Sequence, residues 1–376
     1  MEKVIIVDAM GTLTHMAEDV VSRHLTYAQI LDEDTKSETG LAIISPGQKE
    51  DTFRYSKSLN QFTIRARKRF SIRFLRGAIR IVRKIDSKDL VLIASDPWES
   101  YISSRIIAFF SRPKKVHVQV QLHADIGDDN WRHFRKLFLL RSEIARILIP
   151  HANSLRLVSQ MQYENLNERK FRFPDNTFIA AVPLNLTTNF MPADQGIHEK
   201  ELVIGFVGRI EADRGLQTFI HFVQLLKVKG IKFKILVVGE GRLEKDFMEK
   251  LSSLISSANI KFGYARSSME MTKFWSEISV LISTAPAESY GRSIREALVH
   301  GVPVLAIPSS GANEVARLTN SIRLIQTDSP EETIANFNWL LRHGVDRQSK
   351  ERILNLNYDM SRLLVSSWKN LLFRTL

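Results

Sequence analysis

The apolar residues fall into short β-branched runs separated by longer stretches with helical spacing. VIIVDA (4–9), LAIIS (41–45), DLVLIAS (89–95) and VHVQVQL (116–122) open the series, and LRLVS (155–159) and TFIAAVP (177–183) close its first half. Strands alternating with amphipathic segments predict parallel α/β structure. The stretch 183–200 loses this periodicity and gathers Pro, Asn and Gly, which marks a linker. A second series follows, LVIGFVG (202–208), KFKILVVG (232–239), NIKFGYA (259–265), VLIS (280–283) and PVLAIP (303–308). The expectation is two Rossmann-like domains, 1–185 and 199–351. A last helix over 352–376, with Leu356, Met360, Leu363, Leu364, Trp368 and Leu371 at helical spacing, is expected to cross back to the first domain.

Length agrees with this division, since 376 residues exceed what a single core commonly organises. Cysteine is absent, which excludes a disulfide framework, a thiolate metal site and a cysteine nucleophile. Two charge-free stretches, 176–193 and 297–313, are interrupted by Pro, Asn or Gly and make poor membrane spans. The start reads as a buried strand ending at Asp8, not as a signal peptide, so a cytoplasmic location is expected.

The formal charge of +12 admits nucleic acid, an anionic membrane or anionic substrates. Its placement ranks them. Residues 61–88 hold ten basic residues against one acid, a net of +9, while residues 1–195 as a whole carry +7. On a helical wheel started at Phe70, apolar residues from Ile72 to Ile85 share one arc, and Arg73, Arg76, Arg80, Arg83 and Lys84 share the other. One reading is a domain helix with solvated arginines; the other is a helix that rests on an anionic membrane, each basic residue adding about 1 kcal/mol. No nucleic-acid motif accompanies the charge, so nucleic acid ranks last.

Candidate chemistry concentrates in the second half. GFVGRIEADRGLQTFI (205–220) delivers Arg209 and Arg214 where a strand passes into a helix, which suits a phosphate clamp. In APAESYGRSIREALVHGVPVLAIPSSGANEV (285–315), Glu288 follows a strand and Glu296 lies eight residues on, inside the helix that the loop opens. Two carboxylates so spaced suit the hydroxyls at the two ends of one ligand, with the amides of Tyr290, Gly291 and Arg292 toward phosphates between them. Taken singly, each of these features is ordinary surface chemistry.

The ordered set GR…RG, VVGEG, FGY, the two-glutamate segment, GVPVLA and SSGANE resembles the C-terminal domain of GT-B glycosyltransferases of group 1, family 4, over about residues 200–320. The resemblance implies an α/β GT-B fold, two Rossmann-like domains with parallel sheets facing a cleft. It implies retaining transfer of a hexosyl unit from a UDP- or GDP-linked sugar to a hydroxyl acceptor, a lipid-linked, polysaccharide or lipopolysaccharide precursor, with no metal. Residue by residue, Arg209 and Arg214 would bind the donor diphosphate, with arginine at 214 where the family usually has lysine. Glu288 would contact the donor sugar and Glu296 the ribose, Gly263, Tyr264 and Ala265 would lie against the base, and the loop Ser289 to Arg292 would line the site. Glu314 would be a helix-start residue near the site.

In the first half, His123 and Asp125 end an alternating strand, and the resemblance places His123 beside the donor sugar. Gly11 resembles the family's glycine loop, where the backbone approaches donor or acceptor. Two alternatives stand beside this reading. One is a catalytically silent GT-B scaffold at the membrane. The other is a haloacid dehalogenase-type phosphatase, since VIIVDAMGTLT resembles that family's first motif, with Asp8 as nucleophile and Ser95 and Asp128, Asp129 as later motifs; Met10 stands where the phosphatase form has a second Asp.

Overall fold

The computed structural model describes residues 2–33, 40–66, 71–85, 87–111, 114–184, 201–265 and 267–372. It divides into two compact units, one of residues 1–127, 135–183 and 359–376, the other of residues 128–134 and 184–358.

The first unit is built on β1 (Glu2–Val7), β2 (Gly40–Gly47), β3 (Asp51–Arg54), β4 (Leu59–Arg65), β5 (Asp89–Ala94), β6 (Lys115–Leu122), β7 (Ser154–Leu157) and β8 (Thr177–Ile179). They form one sheet in the order β3-β4-β2-β1-β5-β6-β7-β8, parallel except where β3 pairs antiparallel with β4. Val4, Ile5 and Val7 are fully buried, as are Leu41 to Ile44. Near-continuous apolar runs are what a parallel sheet covered on both faces requires.

The second unit is an all-parallel sheet of β9 (Val203–Val207), β10 (Lys234–Val238), β11 (Ile260–Gly263), β12 (Val280–Ser283), β13 (Val304–Ala306) and β14 (Ile322–Leu324), in the order β11-β10-β9-β12-β13-β14. Alternate residues of β10 serve the two cores: Ile235 and Val237 face one with Phe206, Phe219 and Phe247, while Leu236 and Val238 face the other with Phe274 and Trp275.

Three local expectations change. Residues 61–88 are not one helix: Leu59–Arg65 is strand β4, and the helix spans Ile72–Lys84 behind an N-cap in which Ser71 Oγ accepts from the Phe74 amide. The strand forms because alternate side chains, Leu59, Gln61 and Thr63, are buried, with Gln61 Nε2 donating to the Leu13 carbonyl at 2.7 Å. Phe70, the origin of the wheel, lies outside the described residues. In the helix that does form, Phe74, Ala78 and Val82 are buried while Arg73, Arg76, Arg80, Arg83 and Lys84 are exposed, but Ile72 stands out into solvent.

The end of the chain is also two helices, Arg347–Asn357 in the second unit and Met360–Leu372 in the first. Between them Asp359 adopts φ +57°, a left-handed conformation that no helix continues through. Trp368 of the last helix is fully buried, edge-on to Tyr27 at 5.8 Å, and its indole N–H donates to Gln119 Oε1 on β6. Among the described residues, no helix is long and apolar enough to cross a membrane.

Candidate donor site at a sheet edge

In the second unit, successive connections run from β9 outward through β10 to β11, then return to place β12 on the other side of β9. The reversal lies between β9 and β12, and a doubly wound sheet opens its ligand crevice at the carboxyl ends of such strands. The loop after β9 carries Arg209 and Arg214, the loop after β12 carries Glu288, and across the reversal Arg214 Nη1 donates to Glu288 Oε2 at 3.0 Å. The other oxygen, Oε1, accepts from the Gly291 amide at 3.2 Å. Glu288 is thus anchored at both oxygens and still partly open, with its side chain 22% exposed. Arg214 Nε is buried with no partner among the described residues. Arg209 is mostly exposed and pairs with Asp213 at 2.8 Å, one turn on.

Close backbone crossings hold these loops. Gly215 has φ +64°, and a Cβ there would lie 1.8 Å from the Thr284 carbonyl oxygen. That contact seats the helix Leu216–Val228 directly on the end of β12, and the Thr284 hydroxyl donates to the Arg214 carbonyl at 2.9 Å. Likewise, a Cβ on Gly311 would meet the Gly291 nitrogen at 2.5 Å, so the SSGANE turn locks against the SYGR turn.

Not every expected contact is arranged as the spacing suggests. The Gly291 amide is taken by Glu288. Arg292 Nε donates to Glu296 Oε1 at 2.8 Å, so Glu296 is 8% exposed and held by its own helix. Ser289 and Tyr290 are buried; the Tyr290 hydroxyl donates to Asn357 Oδ1, and the Arg295 guanidinium stacks on the Tyr290 ring at 4.0 Å. Gly263 ends β11 and accepts from the Gly239 amide at 3.1 Å, while Tyr264 is half exposed with its hydroxyl on Glu244 Oε1 at 2.6 Å. Glu314 is not a helix-start residue. It sits inside the helix Ser310–Ala316, which Ser309 caps, and accepts from Arg295 Nη2 at 2.7 Å. Arg295 is 2% exposed, and this buried pair is invisible to motif reading because its partners are 19 residues apart on different helices.

The first unit places its candidates at its own carboxyl edge. His123 follows β6. The residue has an exposed face; desolvation by surrounding protein, and then the charges of Arg156 and Arg23, lower its imidazole pKa to about 3. Asp125 is buried and accepts from the Gly127 amide and Asn165 Nδ2, a structural role. Gly11 turns the chain after β1 with φ +74°. Asp8 is fully buried, its carboxylate taken by the Thr12 hydroxyl at 2.9 Å and the Leu13 amide at 2.6 Å. Burial pushes its pKa up against those hydrogen bonds, and it holds a loop where a phosphatase nucleophile would need an open approach. Asp128, which belongs to the second unit, caps a short helix through the Trp131 amide. Among the described residues no cluster of three or more His, Asp or Glu could hold a metal ion.

Known proteins resemble this chain both in sequence and in fold. Residues 188–354 match the glycosyl transferases of group 1. The capsular polysaccharide biosynthesis glycosyltransferase CapM of Staphylococcus aureus is 28% identical over 110 residues, 29% of either chain. The chain spans about three tenths of the length of the curated relatives it matches. Among solved structures, sucrose-phosphate synthase of Thermosynechococcus elongatus aligns over 99% of both chains with a TM-score of 0.77 at 12% identity. Anabaena HepE, solved with UDP-glucose, aligns over 97% of this chain and 100% of its own with a TM-score of 0.66 at 16% identity. The fold is that of the GT-B glycosyltransferases.

Proposed function

We propose that the protein is a retaining glycosyltransferase of family 4 that moves a hexosyl unit from a UDP- or GDP-linked sugar to a hydroxyl on a lipid-linked, polysaccharide or lipopolysaccharide precursor. The observation that carries this reading is the Arg214–Glu288 pair at the sheet reversal, with exposed Arg209 on the same loop as Arg214. When the bond between the anomeric carbon and the diphosphate breaks, negative charge builds on the departing phosphate. Arg209 and Arg214 would stabilise that charge. Glu288, ionically anchored at one oxygen and hydrogen-bonded at the other, is a poor nucleophile but a good acceptor for donor-sugar hydroxyls. Half-exposed Tyr264 would lie against the base, and Glu296 would meet a ribose hydroxyl. In the first domain, which would bind the acceptor, His123 stays neutral at physiological pH and lines the sugar, and Gly11 lets the backbone approach.

The same reading places the protein on the inner face of the cell membrane. The exposed basic arc of the helix Ile72–Lys84 adjoins the end of the helix Glu99–Phe110, where Phe109 and Phe110 are 58% and 48% exposed. The Arg83 guanidinium donates twice to the Phe110 carbonyl, at 3.0 and 2.8 Å, which ties the two features together. Basic residues rimming exposed aromatics suit anionic headgroups over an apolar layer.

The testing experiment is release of nucleoside diphosphate from a panel of UDP- and GDP-sugars by the purified chain. Arg209→Ala is expected to lower kcat by about 10²- to 10³-fold. Binding without turnover by any donor would leave a scaffold, and near-normal turnover in Arg209→Ala would overturn the site. Flotation with anionic liposomes, lost at high salt, is expected for the membrane surface; indifference to lipid charge would defeat it.

A further inference from the structure

At the carboxyl edge of the first sheet, the turn after β1 and the ends of β2 and β4 enclose a cavity of about 500 Å³ whose lining includes Gly11, Thr14, His15, Gly47, Gln48 and Arg65. That volume accommodates a sugar unit with a charged substituent. Two glycines keep its walls bare: a Cβ on Gly11 would lie 3.2 Å from Thr14 Oγ1 and 3.3 Å from Pro46 Cγ, and one on Gly47 would lie 3.1 Å from Thr63 Cβ. The Thr14 hydroxyl donates to the Pro46 carbonyl at 2.7 Å, pinning the β1 turn to the end of β2. β4 pairs with β2 up to Gly47 and Arg65, and the Ala66 amide donates to the Gly47 carbonyl at 3.0 Å, so Arg65 is fixed at the rim by ladder hydrogen bonds.

The charge of this cavity is one-sided. Among the described residues, no carboxylate lines it. Asp8, the one acid on the adjoining turn, is buried and held by Thr12 and Leu13, while Glu50, on the next turn, and Asp51, which opens β3, lie outside the lining. The Arg65 guanidinium has no ion pair or hydrogen bond among the described residues. A guanidinium on a rigid strand end, beside imidazole and amide donors and without an opposing acid, recognises a planar or tetrahedral anion.

We infer that this cavity receives an anionic group of the acceptor, a phosphate or a carboxylate, with Arg65 as its principal partner and His15 and Gln48 as further donors. The inference rests on the proposal that the first domain binds the acceptor, and adds that the acceptor is charged. It is tested by calorimetric titration of the full chain with inorganic phosphate, a methyl glucuronide and a neutral methyl glucoside, each in saturating UDP so that the second-domain arginines are occupied. UDP binding, measured first, reports separately on the donor reading. The anions are expected to bind, and Arg65→Gln, an exposed change, to weaken them about ten- to a hundredfold while leaving UDP affinity unchanged. Stronger binding of phosphate would assign a phosphorylated acceptor, and stronger binding of the glucuronide a uronic acid. Absence of anion binding in the wild type, equal anion affinity in Arg65→Gln, or equal binding of the neutral glucoside would each overturn the inference. If UDP fails to bind, the donor reading falls, while the difference between wild type and Arg65→Gln still decides this one.

Discussion

Replacing Arg214 by alanine separates a functional role from a structural one. The substitution removes a cation at the edge where the donor phosphates would lie, and it leaves Glu288 without the partner now 3.0 Å away, though still bonded to the Gly291 amide. The side chains are 29% and 22% exposed, between a solvated pair, worth up to about 1 kcal/mol, and a fully buried one, where losing a partner costs about 3–5 kcal/mol. A loss of about 1–3 kcal/mol follows, or a melting point lower by about 2–10 °C for a unit of this size. Turnover should fall much further, about 10²- to 10³-fold, because a preorganised donor acts on charge that develops only as the diphosphate departs. Arg214→Lys should recover part of the rate, keeping the charge but losing the fork. The decisive variant is Arg214→Ala combined with Glu288→Gln, which relieves the uncompensated carboxylate. It should recover stability but not turnover. The assay is nucleoside diphosphate release alongside thermal melting, and the reasoning is refuted if Arg214→Ala loses stability yet turns over within threefold of the wild type.

Two further outcomes check the physical account. Gly215→Ala should destabilise severely, since its Cβ would lie 1.8 Å from the Thr284 carbonyl, whereas Gly230→Ala, at a similar φ but with nothing within 4 Å, should cost only the left-handed strain of about 1–2 kcal/mol; equal melting of the two variants would contradict the crossing described. His24 is buried with its Nδ1 at 2.7 Å from the Val20 carbonyl and its ring against Tyr27, and burial, reinforced by Arg23 and Arg156, lowers its pKa to about 4. The unfolded chain therefore takes up this proton near pH 6.5 while the folded one resists until about pH 4, so this site's contribution to stability is lost as pH falls through that window, by up to about 3 kcal/mol. Urea midpoints from pH 7.5 to 4.5 should fall less steeply in His24→Gln; parallel curves would refute the assignment.

The sequence by itself determined what is encoded locally. Runs of β-branched residues fixed most strands, because a strand buried on both faces needs an unbroken apolar run, and the spacing of glycines, arginines and glutamates marked the loops between Gly205 and Val315. Periodicity failed where two elements shared one composition: the basic stretch from Gln61 divides into strand β4 and a helix, because the strand's burial is set by a neighbour 16 residues earlier, Ser45, and by the turn at Leu13. It failed again at Asp359, where one residue's φ ends a helix that the leucine spacing alone would continue. Only the tertiary structure decided which groups meet. Arg214 and Glu288 lie 74 residues apart, and Arg156 and Gln121 lie 35 apart; each pair is joined by strand order, which spacing along the chain does not carry. Local contacts within a few residues took Glu296 and the Gly291 amide and put Asp8 to use in holding a loop, while the pairing of β2 with β4 left Arg65 at the rim of a cavity. A side chain's type can be read along one dimension, but its partner is chosen by the sheet edge on which its loop emerges.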